Sequence, residues 1–257
     1  MNLHLTDKLF LVGGATSGLG KAILEQLVTE GAQVIAVART KEKLEALQTI
    51  HNRIEIIAGD LSKEGVLGKV LQKIGNRVLT GAVINSGGPP AMPAMETQLS
   101  DWDEAYKTVV RWKIALTQAL LPKMIDNGYG RLLYIESVST KQPVENLVLS
   151  NAMRLAVTGY VKTLSQEIGG SGVTLNILGP GYHATQRMEN LFAKNSELKG
   201  IPEAEIRKTF SDQTAVKQIG KPAHFASLAV WLLSPLSSYI TGQTLTVDGG
   251  LVKGVMG

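Results

Sequence analysis

Gly13-Gly14-Ala15-Thr16-Ser17-Gly18-Leu19-Gly20 is the stretch that decides how this chain folds. It follows a short apolar run at residues 9–13 and opens a helical pattern. Glycine permits a tight turn between a strand and a helix and lets the backbone approach a phosphate, while the helix N-terminus offers free N–H groups to the anion. In this setting the spacing predicts a dinucleotide-binding turn. Its candidate cofactor-binding residues are Gly14, Thr16, Ser17, Gly18, Leu19 and Gly20.

Short β-rich runs alternate with helix-length patterns along the whole chain. Strands are predicted at residues 9–13, 33–38, 54–58, 81–85, 131–136, 173–178 and 244–247. Their near-continuous Val, Ile and Leu content is typical of strands buried on both faces of a parallel sheet. Helical patterns lie between them, at residues 19–30, 41–49, 63–74, 101–127, 149–169 and 222–234. This alternation predicts an α/β Rossmann fold, a doubly wound seven-stranded parallel sheet flanked by helices.

A single domain over residues 1–257 is expected, because no linker, repeat or low-complexity tract interrupts the alternation. One segment, at about residues 183–215, is polar, charged and helix-prone, and it is inserted just before the last crossover. Insertions of this kind usually cover a pocket, so we expect it to cover the substrate. A pair of surface helices without that function is the alternative.

The composition excludes several classes of protein. Apolar residues make up 44% and charged residues 19%, which is an ordinary globular balance. The absence of cysteine excludes disulfides and thiolate metal sites and fits a cytoplasmic protein. The net charge of +4 is too small and too scattered to indicate nucleic-acid binding. No apolar stretch reaches the roughly 18 residues of a membrane span, and no signal peptide is evident. We therefore expect neither a nucleic-acid nor a membrane partner, and no metal.

The end of the second predicted strand, Val37-Ala38-Arg39-Thr40, carries information about the cofactor. An acidic residue here would bind the adenine ribose hydroxyls and repel a 2′-phosphate. Ala38 cannot form that hydrogen bond, and the cation Arg39 would attract the phosphate. The sequence thus favours NADP(H) over NAD(H), with Arg39 and Thr40 as candidate binding residues. An arginine that only caps the strand edge is the alternative.

Further motifs follow in a fixed order: Asp60-Leu61, Asn85-Ser86-Gly87-Gly88, Asn176, Pro180-Gly181 with Thr185, Ile240-Thr241-Gly242-Gln243 and Val247-Asp248-Gly249-Gly250. Together with the glycine turn they resemble the short-chain dehydrogenase/reductase family over roughly residues 5–252. The resemblance implies that the aspartate contacts adenine, that the asparagine-glycine turn lines the cofactor, and that the later segment meets the nicotinamide carboxamide. The cofactor-binding residues it implies are Asp60, Leu61, Asn85, Ser86, Gly87, Arg154, Pro180, Gly181, His183 and Thr185.

The catalytic pattern of that family is altered in this sequence. The family reduces carbonyl groups with a serine, a tyrosine and a lysine, usually aided by an asparagine on the preceding helix. The segment around Ser137 matches the serine. The tyrosine position is then occupied by Ser150 and the lysine position by Arg154, in Ser150-Asn151-Ala152-Met153-Arg154. Val109 occupies the asparagine position.

These replacements leave the proton donor open. A serine hydroxyl is far less acidic than a phenol, and arginine stays protonated, although its guanidinium is able to bind ribose hydroxyls. Lys141 is a candidate donor, or an anchor for a carboxylate, or only a solvated loop lysine. His183 and Tyr182 are weaker alternatives. Glu136 is expected to face away from the substrate or to pair with Arg154. The candidate catalytic residues are Ser137, Lys141, Ser150 and Arg154.

Two functions remain open at this point. The first is an NADPH-dependent oxidoreductase that transfers a hydride between nicotinamide and a small carbonyl or alcohol by an atypical proton-donor arrangement. Lys141 and Arg154 favour an anionic or sugar-like substrate for it. The second is an inactive NADP(H)-binding sensor or scaffold. The resemblance also implies a homo-tetramer or homo-dimer that assembles through the long helices.

Overall fold

The computed structural model describes residues 1–255 and forms one seven-stranded parallel sheet. The strand order is β3-β2-β1-β4-β5-β6-β7, and every neighbouring pair is parallel. The strands are β1 (Leu9–Gly13), β2 (Gln33–Ala38), β3 (Ile54–Ala58), β4 (Leu79–Ile84), β5 (Gly130–Ile135), β6 (Val173–Pro180) and β7 (Thr244–Val247). The predicted doubly wound Rossmann fold is confirmed.

Helices cover both faces of the sheet. They are α1 (Gly18–Thr29), α2 (Lys41–Ile50), α3 (Val66–Ile74), α4 (Leu99–Ala105), α5 (Trp112–Asp126), α6 (Val148–Glu167), α7 (Gln186–Lys199), α8 (Glu203–Gln213) and α9 (Pro222–Leu233). One core joins the sheet to α1, α2 and α9, and a second joins it to α3, α5 and α6. The central strands are buried along their whole length because both faces are covered.

The strand order reverses between β1 and β4, and this reversal positions the site. The crossovers from β1 and β4 leave the sheet in opposite directions, so a crevice opens outside their carboxyl ends. The glycine turn follows β1 at that edge, and the segment that begins with Asn85 follows β4. The site residues therefore come from separate parts of the chain that meet at one edge of the sheet.

The helix predicted at residues 101–127 is present, and the chain is helical without a break from Leu99 to Asp126, although the middle of the helix is not α-helical. The structure contains α4, then a π-helical segment (Tyr106–Arg111), and then α5. A π-helix accommodates one extra residue per turn, and no glycine or proline marks its position, so local sequence patterns did not indicate it. The segment includes Val109, which lies at the position where the related family has asparagine.

The insertion at residues 183–215 contains the two helices α7 and α8, which pack against each other through their own small aromatic core. The Phe192 and Phe210 rings meet edge to face with centroids 5.3 Å apart, and the Arg207 guanidinium lies 4.7 Å from the Phe192 centroid. Across residues 1–255 the helices are all too short or too polar to span a bilayer.

The family resemblance implies that copies of the chain would meet through the long helices, and apolar side chains are exposed on α4 and α6. Leu99 is 85% exposed and Leu155 is 47% exposed. We expect light scattering at micromolar concentration to give a homo-tetramer or homo-dimer, and Leu155→Glu to shift it toward smaller species. Leu198→Glu, at an exposed position on α7, is the control and should leave the mass unchanged. A monomeric parent protein would contradict the expectation.

Candidate active site

The glycine turn after β1 has the geometry of an anion-binding site. Gly14 and Gly18 have positive φ angles of 63° and 55°. A Cβ atom on Gly20 would lie 2.3 Å from the carbonyl oxygen of Gly14, so α1 and the turn meet only because that residue is glycine. Ser17 is the N-cap of α1 but makes no side-chain capping bond. The first amides of α1 are thus left to an anion in the crevice.

Asn85 ties the end of β4 to this turn. Its Nδ2 atom donates a hydrogen bond of 3.3 Å to the carbonyl oxygen of Gly13. A Cβ on Gly14 would lie 2.7 Å from the same Nδ2 atom, so the asparagine fills the space that the glycine leaves. The Ser86 hydroxyl donates to the Gly87 carbonyl oxygen over 3.1 Å. The predicted cofactor-lining residues of β1 and β4 therefore form one packed unit.

Arg39, Thr40 and Asp60 lie at the ends of β2 and β3. Arg39 and Thr40 are exposed. The Asp60 carboxylate accepts hydrogen bonds from the Ser62 backbone N–H (2.9 Å) and the Ser62 hydroxyl (2.7 Å). Burial alone would raise the pKa of Asp60, but the Ser62 hydrogen bonds and the Arg39 charge outweigh it, and the net pKa lies below its usual value. Asp60 is therefore ionised, and its carboxylate is held in one orientation. Leu61 packs beneath Gly13, where an added Cβ would meet it at 3.0 Å.

The segment after β6 brings Thr185 back to the glycine turn. Pro180 ends β6, and Gly181 follows it with its backbone N–H bonded to the Val247 carbonyl oxygen. Thr185 is the N-cap of α7, and its hydroxyl oxygen accepts from the Met188 N–H at 3.4 Å. A Cβ on Gly18 would lie 3.3 Å from the Thr185 methyl carbon. The start of α7 is therefore in contact with the turn.

His183 and Tyr182 are packing residues in this structure. The His183 ring is buried, meets the Phe225 ring edge to face at 5.4 Å, and has Nδ1 3.3 Å from the Gly181 carbonyl oxygen. Burial lowers its pKa, so the ring is neutral near pH 7. The Tyr182 hydroxyl donates to Gln213 over 2.9 Å. These contacts favour packing roles for both side chains over proton transfer.

Ser137 lies directly after β5 and caps a 3-10 turn, Val138–Thr140. Its Oγ accepts a hydrogen bond of 3.0 Å from the Ser139 backbone N–H. The hydroxyl hydrogen is not used in that bond, so it remains available to a substrate oxygen. Lys141 ends the turn and is partly buried. The backbone therefore holds the Ser137 hydroxyl in place, which is consistent with the catalytic role that the family resemblance implies for this serine.

Ser150 and Arg154 lie one helical turn apart on α6 and are bonded to each other. Arg154 Nε donates to the Ser150 Oγ at 3.0 Å. Arg154 Nη1 donates to both the backbone carbonyl and the carboxylate Oε2 of Glu136, each at 2.9 Å. Because Glu136 immediately precedes Ser137, these contacts hold the guanidinium beside the serine. The structure therefore brings Ser150 and Arg154 together at Glu136, the residue before Ser137, and the anticipated pairing of Glu136 with Arg154 is present.

Lys113 on α5 is a buried group that the sequence analysis missed. Its ammonium pairs with Glu136 Oε1, and its side chain is 1% exposed. Burial lowers the pKa of Lys113 to about 8, Glu136 opposes the shift, and Arg154 adds to it. A signal was present in the sequence: Lys113 occupies the same helical stripe as Val109 and Leu116, both apolar, where a lysine is buried only if it is paired.

All six tyrosines lie within residues 1–255, and the contacts of the other five besides Tyr182 do not suggest that any of them replaces the phenol missing at Ser150. The Tyr134 hydroxyl bonds Thr117 at 2.6 Å inside the helical layer, and the Tyr160 hydroxyl is buried with no partner. The Tyr129 ring stacks on Arg131, and Tyr239 is fully exposed. Tyr106 is 46% exposed in the π-helical segment. The described residues also contain no cluster of three or more side chains able to bind a metal ion.

Comparison with known proteins places the chain in a family. A family model described as enoyl-(acyl carrier protein) reductase matches residues 14–252. The 3-oxoacyl-(acyl-carrier-protein) reductase FabG of Thermotoga maritima is 30% identical over 97% of this chain and 100% of the relative. This chain belongs to the short-chain dehydrogenase/reductase family.

Solved structures agree on the fold. L-sorbose reductase of Gluconobacter frateurii, complexed with NADPH and L-sorbose, superposes with a TM-score of 0.93 at 24% identity over 99% of this chain and 100% of its own. A single-residue variant of actinorhodin polyketide ketoreductase, solved with NADPH, gives 0.87 at 25% identity over 96% and 98%. The similarity of fold therefore extends over nearly the whole of the chain.

The buried ion pair yields a stability prediction. Lys113→Met should lower the free energy of unfolding by about 3 kcal/mol, because Glu136 loses one of its two cations in a buried site. Urea denaturation would measure this as a lower midpoint with an unchanged slope. Lys208→Met is the matched control: it removes an exposed pair with Asp212 and should cost less than about 1 kcal/mol. Equal small losses would contradict the buried-pair assignment.

Proposed function

We propose that the protein is an NADPH-dependent oxidoreductase that transfers a hydride between nicotinamide and a small carbonyl or alcohol substrate, without a tyrosine as proton donor. The observation that carries this proposal is the arrangement of Arg154, whose guanidinium contacts Ser150 and is fixed by Glu136 next to Ser137. The three polar groups lie at the carboxyl edge of the sheet, where ligands of this fold bind.

The residues around the crevice fit NADP(H). The turn at Gly14–Gly20 and the amides of α1 would hold the diphosphate, and Arg39 with Thr40 would meet the 2′-phosphate. Asp60 and Leu61 would contact adenine, Asn85 to Gly87 would line the ribose side, and Pro180 to Thr185 would meet the carboxamide, His183 through its backbone. When bound, the cofactor supplies or accepts the hydride. NADPH in the similar polyketide ketoreductase supports this choice.

The chain's own side chains would stabilise the charge that develops on the substrate oxygen. The Ser137 hydroxyl is able to donate to that oxygen, because its Oγ is oriented by the Ser139 N–H. Arg154 stays protonated throughout and supplies a fixed positive charge, which counts for more in a partly dry site than in water. The Ser150 hydroxyl, bonded to Arg154 Nε, is too weak an acid to replace a phenol by itself. Lys141 or water would return the proton.

Cofactor preference depends on one charge. Arg39→Ala should weaken NADPH binding by about 1.5–3 kcal/mol, the range for a hydrogen bond to a charged group, and leave NADH binding nearly unchanged. Fluorescence titration with both nucleotides would measure the two affinities. An equal loss for both would mean that Arg39 only caps the strand edge.

The role of Ser137 is tested by kinetics. Ser137→Ala should lower kcat about 100-fold, the usual scale for the loss of a donor to a developing oxyanion. Ser139→Ala is a matched control, because its hydroxyl is buried and has no partner, while the backbone N–H that holds Ser137 is retained. Steady-state NADPH consumption with a panel of carbonyl compounds is the assay. Tight NADPH binding with no turnover of any compound would favour the sensor or scaffold alternative.

A further inference from the structure

Arg154 has one terminal nitrogen that no described residue uses. Nε and Nη1 are engaged by Ser150 and Glu136, whereas Nη2 makes no hydrogen bond with any residue from 1 to 255. A Cβ atom on Gly88 would lie 3.1 Å from Nη2. The unused nitrogen therefore lies against the loop after β4, at a position where a side chain larger than that of glycine would contact it closely.

A second guanidinium lies near the same glycine. Arg187, on the first turn of α7, would lie 3.8 Å (Nη1) and 3.9 Å (Nη2) from that Gly88 Cβ. Arg187 is exposed and makes no ion pair or hydrogen bond through its side chain with any described residue. Two arginines thus converge over one glycine, although they lie on different helices.

The surrounding charges do not compensate Arg187. Glu189, the acidic residue in the first turn of α7, is already paired with Arg207. Glu136 is shared between Lys113 and Arg154. A cation at a helix N-terminus is also disfavoured by the helix dipole. An arginine at this point, facing another arginine, is therefore electrostatically unfavourable until an anion enters between them.

We propose that Arg154 Nη2 and Arg187 bind a carboxylate of the substrate over Gly88, so that the substrates are oxo acids or the corresponding hydroxy acids. A carboxylate presents two oxygens to the planar donors of guanidinium groups. The glycine turn would hold the diphosphate of the cofactor. Arg154 adjoins Ser150, whereas Arg187 follows Thr185, which contacts that turn, so the affinity for NADPH must be measured beside the turnover of acids. This inference deepens the proposed function and rests on it for the identity of the reaction.

The test compares acids with their neutral esters. Pyruvate, acetoacetate and levulinate, each beside its methyl ester, are assayed with NADPH for the parent protein, Arg187→Gln and the control Lys194→Gln. Lys194 is an exposed cation on the same helix with no partner among the described residues. Arg187→Gln should lower kcat/KM for the acids about tenfold to hundredfold, which is the range for losing a charge-assisted bond. The esters, the affinity for NADPH and the control should be unchanged, and Arg187→Lys should restore part of the loss.

Other results would overturn the inference. An equal loss for acids and esters would mean that Arg187 acts on the fold of α7. A loss of NADPH affinity would assign the arginine to the cofactor diphosphate. Equal activity of the parent on acids and esters would exclude a carboxylate site.

The carboxylate site can be tested even if the protein is not a reductase. If the parent turns over none of these compounds, binding of the acids to the NADPH complex is measured by calorimetry. Binding that Arg187→Gln abolishes supports the carboxylate site in a protein that is not a reductase. Absence of acid binding overturns the site as well.

Discussion

The Glu136 carboxylate, shared between Lys113 and Arg154, is the interaction on which the site depends. It joins α5, the end of β5 and α6 at one buried point, with Lys113 on one oxygen and Arg154 on the other. An unpaired carboxylate in this position would carry a large desolvation penalty, and each cation would carry a similar penalty without it. The three groups are therefore interdependent, and they fix the backbone that leads into Ser137. The same buried ion pairs therefore stabilise this edge of the sheet and set the geometry of the candidate catalytic groups.

The replacements at positions 150 and 154 are best understood as one coupled change. A guanidinium is larger and more directional than an ammonium, and Arg154 uses its three nitrogens in three directions: toward Ser150, toward Glu136 and toward Gly88. A lysine has one nitrogen and could not hold all three. The small hydroxyl of Ser150 provides both the space for this side chain and an acceptor for Nε. A tyrosine introduced there would have to share that space with a guanidinium that Glu136 prevents from moving.

Most of the fold could be predicted from the sequence, whereas the ion pairs of Glu136 with Lys113 and Arg154 could be predicted only in part. The sheet was predictable because continuous apolar strands alternate with helical patterns along the chain. The turn at Gly14–Gly20 was predictable because the spacing of its glycines reflects what the backbone needs at that point. The π-helical segment carries no such local signal. Lys113 could have been suspected from its place in the buried stripe of α5, but its partner Glu136 lies on another element, after β5, and only the packing of α5 on the sheet brings the two together. Arg187 looked like one charge in a polar insertion, and only the packing of α7 against the glycine turn brings it near Gly88.

A permanent cation changes how such a site responds to pH. Hydride transfer to a carbonyl leaves negative charge on oxygen, and the stabilisation of that charge is usually linked to a group that also delivers the proton. In the reaction that we propose the two tasks would be separated, because serine hydroxyls and guanidinium groups keep their protonation states near neutrality. Stabilisation of the oxyanion would then depend less on pH than proton return does, up to the range in which Lys113, with its pKa lowered to about 8, loses its charge beside Glu136. The network around Glu136 supports this separation, because the carboxylate lies between two buried cations and holds Arg154 in one orientation.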